Sequence, residues 1–322
     1  MGHYIGIDIS KLTFHAAMDE SGAAAVFAND RKGIRRFMKM LKGGQALPAD
    51  VVIGMESTGH YHLLPALMLA QKGYDVRLIN PMITGRRNRM AMRKVKNDRT
   101  DARLVRRCLM EGAGRPFRDT AATLRLKNLV RQRSYLADLG AKLKLKQQDM
   151  AHKEDCIGES ITPVNGDLVL ALEAGMKALE KELAACCPEL QKLLMSIPGV
   201  GRHTAATLVA EVGDISLFPD AGKLTAFTGL DPRVHESGTS IHGKGYISKR
   251  GSGLLRRRLY NAASAAVLHP PNDFYDFFQK KRTEGKPYRV ALCAVMRKML
   301  HAVHAVWTRG TPYVIKKPLT SI

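Results

Sequence analysis

Four carboxylates and a group of serines carry the chemistry available to this chain. Asp98 and Asp101 stand three residues apart in Lys96-Asn97-Asp98-Arg99-Thr100-Asp101-Ala102-Arg103. That spacing places both on one helix face. Asp8 lies near the end of the apolar run Tyr4-Ile5-Gly6-Ile7-Asp8-Ile9, and Glu56 follows Val51-Val52-Ile53-Gly54-Met55. Hard carboxylate oxygens suit Mg²⁺. Four of them can cradle two ions about 3.5–4 Å apart, the arrangement of in-line phosphoryl transfer. Arg86, Arg87, Arg89, Arg93, Lys94 and Lys96 precede the aspartate pair, and Arg103, Arg106 and Arg107 follow it. A substrate matched to that field is a polyanion. The structural alternative is a helix start, with Asp98 as the cap and Asp101 at the third helical position.

A second chemical region runs from Asp231 to Gly253. It is rich in Gly, Ser and cations and has little to bury. Loops of that length inside a compact domain are functional or disordered. Ser237, Ser240, Ser248 and Ser252 are all candidate nucleophiles there, and residue types alone do not choose among them. A serine hydroxyl attacks only when its proton is removed or the leaving oxygen is stabilised. Lys249, Arg250 and Arg256 are candidate phosphate contacts. Upstream, Ser196-Ile197-Pro198-Gly199-Val200-Gly201-Arg202-His203-Thr204-Ala205-Ala206 has the pattern of a helix-hairpin-helix. There Gly199 and Gly201 permit a tight turn. The following helix, beginning near Arg202, offers N–H groups to a backbone phosphate without reading bases.

The elements that must position these groups follow from periodicity. Tyr4–Ile9, Thr13–Met18 and Ala23–Ala28 read as strands, Lys32–Leu41 as an amphipathic helix, and Val51–Met55 as a buried strand. A helix over His62–Gln71 and a strand over Asp75–Ile79 come next. A basic connection, Pro81–Val95, then leads to the helix of Asp98 and Asp101. The order of three strands, helix, strand, helix, strand, helix is that of the ribonuclease H-like fold. If the first and fourth strands are parallel neighbours, their C-terminal ends bring Asp8 and Glu56 together. The actin-like sugar kinases also open with an Ile-Gly-Ile-Asp strand, but Ile9-Ser10-Lys11-Leu12 supplies no phosphate loop of their kind.

From Ala121 to Met195 the chain becomes helical. Leu129, Leu136, Leu143 and Met150 recur every seven residues, and Leu172, Met176, Leu179, Leu183, Cys186, Leu190 and Leu193 keep a similar rhythm that Pro188 interrupts. Such seams suit a coiled coil between protomers or a helical hairpin within one chain. Three regions result: 1–115 with the acids, 116–195 with the long helices, and 196–322, mostly helical, with the hairpin motif and the serines. The fold class is α/β followed by α.

Composition narrows the partners. Lys and Arg number 51 against 29 Asp and Glu, a formal charge of +22. This balance favours nucleic acid. The most apolar helical run, Val290–Trp307, contains Arg297, Lys298, His301 and His304, so no membrane span is expected. The N-terminus lacks a signal-peptide pattern. The five cysteines form no C-x-x-C and no even framework, which fits a reduced, cytoplasmic protein.

As a whole, the chain resembles the DEDD transposases of the Piv/MooV invertase type, a family that includes DNA invertases and insertion-sequence recombinases guided by a bridge RNA. The match rests on Gly6-Ile7-Asp8, Glu56-Ser57-Thr58-Gly59, Asn80-Pro81, Lys96 to Arg103, Ile197-Pro198-Gly199-Val200-Gly201, and Glu236-Ser237-Gly238 through Ser248-Lys249 to Arg256. The resemblance implies a RuvC-like nuclease domain whose Asp8, Glu56, Asp98 and Asp101 bind Mg²⁺. It implies a C-terminal transposase domain with Ser237 as nucleophile and a 5′-phosphoserine intermediate. It further implies double-stranded DNA at element ends and target, a noncoding guide RNA, and a dimer or tetramer held by coiled coils. The setting would be the bacterial cytoplasm, in association with the nucleoid. A protein-only invertase and a junction-resolving nuclease without a covalent step are the alternatives.

Overall fold

A computed structural model describes residues 3–19, 24–43, 47–57, 59–90, 98–157, 166–232 and 246–315. The chain divides into two compact units, Met1–Ala121 and Ala122–Ile322.

In the first unit the strands are β1 (His3–Ile9), β2 (Thr13–Ala17), β3 (Ala25–Ala28), β4 (Val51–Glu56), β5 (Asp75–Ile79) and β6 (Arg115–Pro116). They form one sheet of order β3-β2-β1-β4-β5-β6. β1 pairs parallel with β4, and β4 parallel with β5, while β2, β3 and β6 run antiparallel to their neighbours. The expected adjacency of the first and fourth strands is therefore present. Helices α1 (Arg31–Gly43), α2 (Leu63–Ala70), α3 (Pro81–Met90) and α4 (Asp98–Met110) complete the unit. Ile7, Phe14, Ile34, Phe37, Ile53 and Met55 are fully buried. The Phe14, Phe27 and Phe37 rings lie 5.3–5.5 Å apart and lock α1 onto β2 and β3.

α3 corrects the sequence reading of 81–95 as a plain connection. The side-chain Oδ1 of Asn80 accepts the Met82 amide at 2.9 Å, and Pro81 fills the first helical position. Proline is tolerated there because that N–H has no intrahelical partner.

The second unit contains α5 (Ala121–Ile157), α6 (Gly166–Ala185), α7 (Pro188–Leu194), α8 (Arg202–Val212), α9 (Ala221–Thr228), α10 (Gly253–Leu268), α11 (Asp273–Thr283) and α12 (Tyr288–Arg309). α5 and α6 form an antiparallel hairpin. Arg125 pairs with Glu182 at 2.9 Å, Arg133 with Glu180 at 2.8 Å and Lys144 with Glu173 at 2.8 Å. The Arg125 and Lys144 pairs are solvent-screened and contribute little. The apolar seam of Leu126, Leu129, Val130 and Leu183, continuous with the main core, holds the hairpin. Pro188 does not interrupt a helix as its position suggested. The chain turns at Cys187, whose φ is +48°, and Pro188 opens α7. α12 has the length and apolarity of a membrane span. Its Leu292, Val295, Met299, Leu300 and Val303 are fully buried against the other helices of this unit, making it a core helix.

Candidate active site

The first unit assembles its acids through the sheet register. Ile7 of β1 is opposite Met55 of β4, so the next residues, Asp8 and Glu56, are side by side where these parallel strands end. They share a face with Gly6 and Gly54, opposite the buried Ile7 and Met55, because side chains alternate along a strand. α4 covers that face. A Cβ on Gly6 would lie 2.2 Å from the Ala102 carbonyl oxygen and 2.3 Å from the Arg106 amide nitrogen. Only glycine lets the helix backbone come so close. Arg106 Nε donates to the Tyr4 carbonyl at 2.9 Å. With Tyr4 near Arg106 and Gly6 near Ala102, α4 runs antiparallel to β1. Its first turn, which holds Asp98 and Asp101, therefore sits at the sheet end that carries Asp8 and Glu56.

Asp8, Glu56 and Asp101 are half-buried. For Asp98 the described part is its place in the helix, while Lys96 and Asn97 lie outside the described residues. Thr84 Oγ1 of α3 donates to Glu56 Oε2 at 2.8 Å. His15 of β2, opposite Asp8 in register, is a further neighbour that sequence reasoning did not single out. Among the described residues, no three His, Cys, Asp or Glu side chains are gathered into a metal-holding group. The acids described at this sheet end, Asp8, Glu56 and Asp101, offer hard carboxylate oxygens, the donor type that suits Mg²⁺. Cys108 of α4 is fully buried, and burial pushes its thiol pKa up, which leaves it inert as a nucleophile.

In the second unit, α7 and α8 flank the turn Ser196–Gly201. Gly199 has φ +82°, and a Cβ there would lie 2.1 Å from the Ala262 carbonyl, so the turn packs directly on α10. Gly201 caps α8 without a side-chain hydrogen bond, and both Gly201 and Arg202 are exposed. Arg202 and His203 line a cavity of about 210 Å³ with Glu180 and Gln191. Arg133 Nη2 lies 3.0 Å from His203 Nε2 and 2.8 Å from Glu180. Burial, then the charge of Arg133, holds the His203 pKa below its ordinary value, only partly offset by Glu180.

The Ser/Gly-rich loop is described at its neck. Pro232 and Ile247 form an antiparallel bridge, and the Ser248 amide donates to the Asp231 carbonyl at 2.8 Å. Ser248 Oγ donates to the Asp231 carboxylate. Ser252 Oγ caps α10 by accepting the Leu255 amide at 3.3 Å. Two of the four candidate serines thus have structural duties, while Ser237 and Ser240 lie outside the described residues. Lys249 and Arg250 are exposed. Arg256 Nη1 donates to the Thr228 carbonyl at 3.0 Å and the Gly251 carbonyl at 2.7 Å, tying the end of α9 to the start of α10.

Comparison with known proteins agrees with this layout. A DEDD transposase model of the IS110 type matches residues 5–150, and a model described as the IS116/IS110/IS902 transposase family matches residues 191–279. The chain is 27% identical to the pilin gene-inverting protein of Moraxella bovis, over 96% of this chain and 97% of that protein. It is 25% identical to the transposase of insertion sequence IS1328 of Yersinia enterocolitica, over 96% and 98%. It is 36% identical to the transposase of IS1111A of Coxiella burnetii, over 44% and 38%. The acid-bearing α/β unit and the helical unit together belong to an enzyme of the DNA transposase and recombinase class. Within that class the chain is a member of the IS110 transposase family.

Proposed function

We propose that this protein is the recombinase of an insertion sequence and that it cuts and rejoins double-stranded DNA through a 5′-phosphoserine at Ser237. The observation that carries the reading is the side-by-side placement of Asp8 and Glu56 beneath the first turn of α4. The sheet order and this placement support a RuvC-like nuclease unit.

In the reaction, the Ser237 hydroxyl loses its proton and its oxygen bonds to a DNA phosphorus. The bond from phosphorus to the 3′ oxygen breaks, and that oxygen leaves as a 3′ hydroxyl. Rejoining reverses these events with a 3′ hydroxyl from another strand, so phosphodiester energy is conserved and ATP is not consumed. Asp8, Glu56, Asp98 and Asp101 would hold Mg²⁺, which would supply charge to polarise the phosphate and stabilise the departing oxygen. The neck formed by Asp231, Ser248 and Arg256 fixes both ends of the serine loop, and exposed Lys249 and Arg250 meet backbone phosphates there. The turn at Gly199 and Gly201, with Arg202, contacts a phosphate at the start of α8.

Strand exchange requires at least two active sites, so the protein works as a dimer or tetramer. Its guide is a structured noncoding RNA encoded beside the element. Similarity over 96% of the chain to a pilin gene-inverting protein favours one alternative, a DNA invertase.

Two experiments test the reading. Ser237→Ala and Asp8→Asn should each abolish recombination between paired sites while DNA binding persists, and normal recombination by either variant removes its residue from the mechanism. Sequencing the RNA that copurifies with the protein, expressed with its flanking DNA, should recover one abundant structured species. Random cellular RNA removable by salt would instead favour the protein-only invertase.

A further inference from the structure

An open groove of about 400 Å³ lies in the second unit between α5 and the start of α10. Arg131, Ser134, Tyr135 and Asp138 line it from α5, and Gly253 and Arg257 from α10. Tyr135 is 67% exposed, although α5 buries Leu126, Leu129 and Val130 close by. Its ring therefore has a face available to a flat partner.

The two arginines are already held. Arg257 Nη1 donates to Asp138 at 2.7 Å and its Nη2 to the Ser134 hydroxyl, while Arg131 Nε donates at 3.2 Å to Glu211, which is buried. Guanidinium groups fixed before a ligand arrives cost little further ordering when they engage it. Asp138 is the one carboxylate in the groove wall. Arg133 and Arg258 add cationic charge close to Arg257; burial, then the charges of Arg133 and Arg257, hold the Arg258 pKa below its ordinary value. Arg258 also keeps a buried Nε without a hydrogen-bond partner.

We infer that this groove holds an unpaired polynucleotide strand, with a base stacked on Tyr135 and the flanking phosphates on Arg131 and Arg257. A duplex buries its base faces against one another and cannot stack on a side chain, whereas an unpaired strand offers them. Gly253, which lines the groove, follows Arg250 by three residues, so a strand lying in it passes close to the C-terminal side of the serine loop's neck. The inference rests on the reading of the chain as a nucleic-acid enzyme.

The test is binding of the full-length protein to labelled oligonucleotides at one fixed salt concentration, using single-stranded DNA, single-stranded RNA and duplex DNA. Tyr135→Ala should weaken single-strand binding about 5- to 100-fold. Tyr135→Phe should bind as the wild type does, and duplex binding should be unchanged in both. Comparing the DNA and RNA strands tells which one occupies the groove. The groove assignment is overturned if Tyr135→Ala binds single strands normally, or if it loses single strands and duplex equally. A wild-type protein that binds no oligonucleotide overturns the functional reading as well, whereas loss of recombination alone leaves the groove assignment standing.

Discussion

The hydroxyl of Thr84 lies 2.8 Å from Oε2 of Glu56 and 3.0 Å from the Pro81 carbonyl. A hydroxyl has a single proton, and the carboxylate is the stronger acceptor. Thr84 is only 5% exposed, so this contact fixes the Glu56 carboxylate at the end of β4. Thr84→Val keeps the shape and removes the donor. It is expected to raise the Mg²⁺ concentration that half-supports cleavage about 10- to 100-fold and to shrink the ion-induced rise in thermal midpoint. Thr84→Ser should restore both. An unchanged Mg²⁺ response would show that Glu56 does not need this hydroxyl.

Gly6 sets the distance between β1 and α4. Gly6→Ala forces backbone to move and is expected to cost about 3 kcal/mol of stability, read by denaturant or thermal unfolding. Gly140→Ala is the control: it sits inside α5, where an added Cβ meets nothing within 4 Å. That substitution should stabilise by about 0.5–1 kcal/mol.

Much of the first unit was legible in the sequence because its longer strands are short apolar runs, two of which, β1 and β4, carry an acid at or near their ends. Element order suggested neighbouring ends for β1 and β4, and the sheet register establishes them. α3 was not legible as a helix because its basic residues form no apolar stripe. The signal that could have found it was Asn80-Pro81, a cap followed by a first-turn proline. Thr84 was missed with it, since its role depends on that helix returning over Glu56. β6, two residues containing Pro116, is too short for any period to register. On the long helices the heptad rhythm could not separate a pairing between protomers from one within the chain. Opposed charges at Arg133 and Glu180 and at Lys144 and Glu173 now place α5 against α6.

Arg256 distinguishes a phosphate contact from a structural tie. Its Nη1 is engaged by two backbone carbonyls that hold the loop neck together. Arg256→Gln should reduce strand transfer and lower the thermal midpoint while leaving the salt dependence of DNA binding unchanged. A fall of about one in the slope of log affinity against log salt would instead count Arg256 among the phosphate contacts.

His203 and Glu180 give the second unit a definable acid sensitivity. The folded His203 pKa lies below its ordinary value of 6.5, so between these two values the unfolded chain binds more protons and stability falls as pH drops. The Glu180 pKa is held below 4.5, first by its hydrogen bond from Arg133, so its contribution is present above 4.5 and lost as pH falls through the folded value. The thermal midpoint should decline as pH is lowered from about 7 to about 5.5. His203→Gln should flatten this first segment and leave the decline at lower pH in place.

The most direct measurement is trapping of the covalent intermediate. The protein is incubated with Mg²⁺ and end-labelled DNA carrying its recombination site, denatured, and digested for peptide mapping. A labelled peptide with a nucleotide phosphate on Ser237, absent from Ser237→Ala and from Asp8→Asn, is the required result. Cleaved DNA with no protein attached, produced equally by Ser237→Ala, would contradict the phosphoserine route and leave a metal-dependent nuclease in its place.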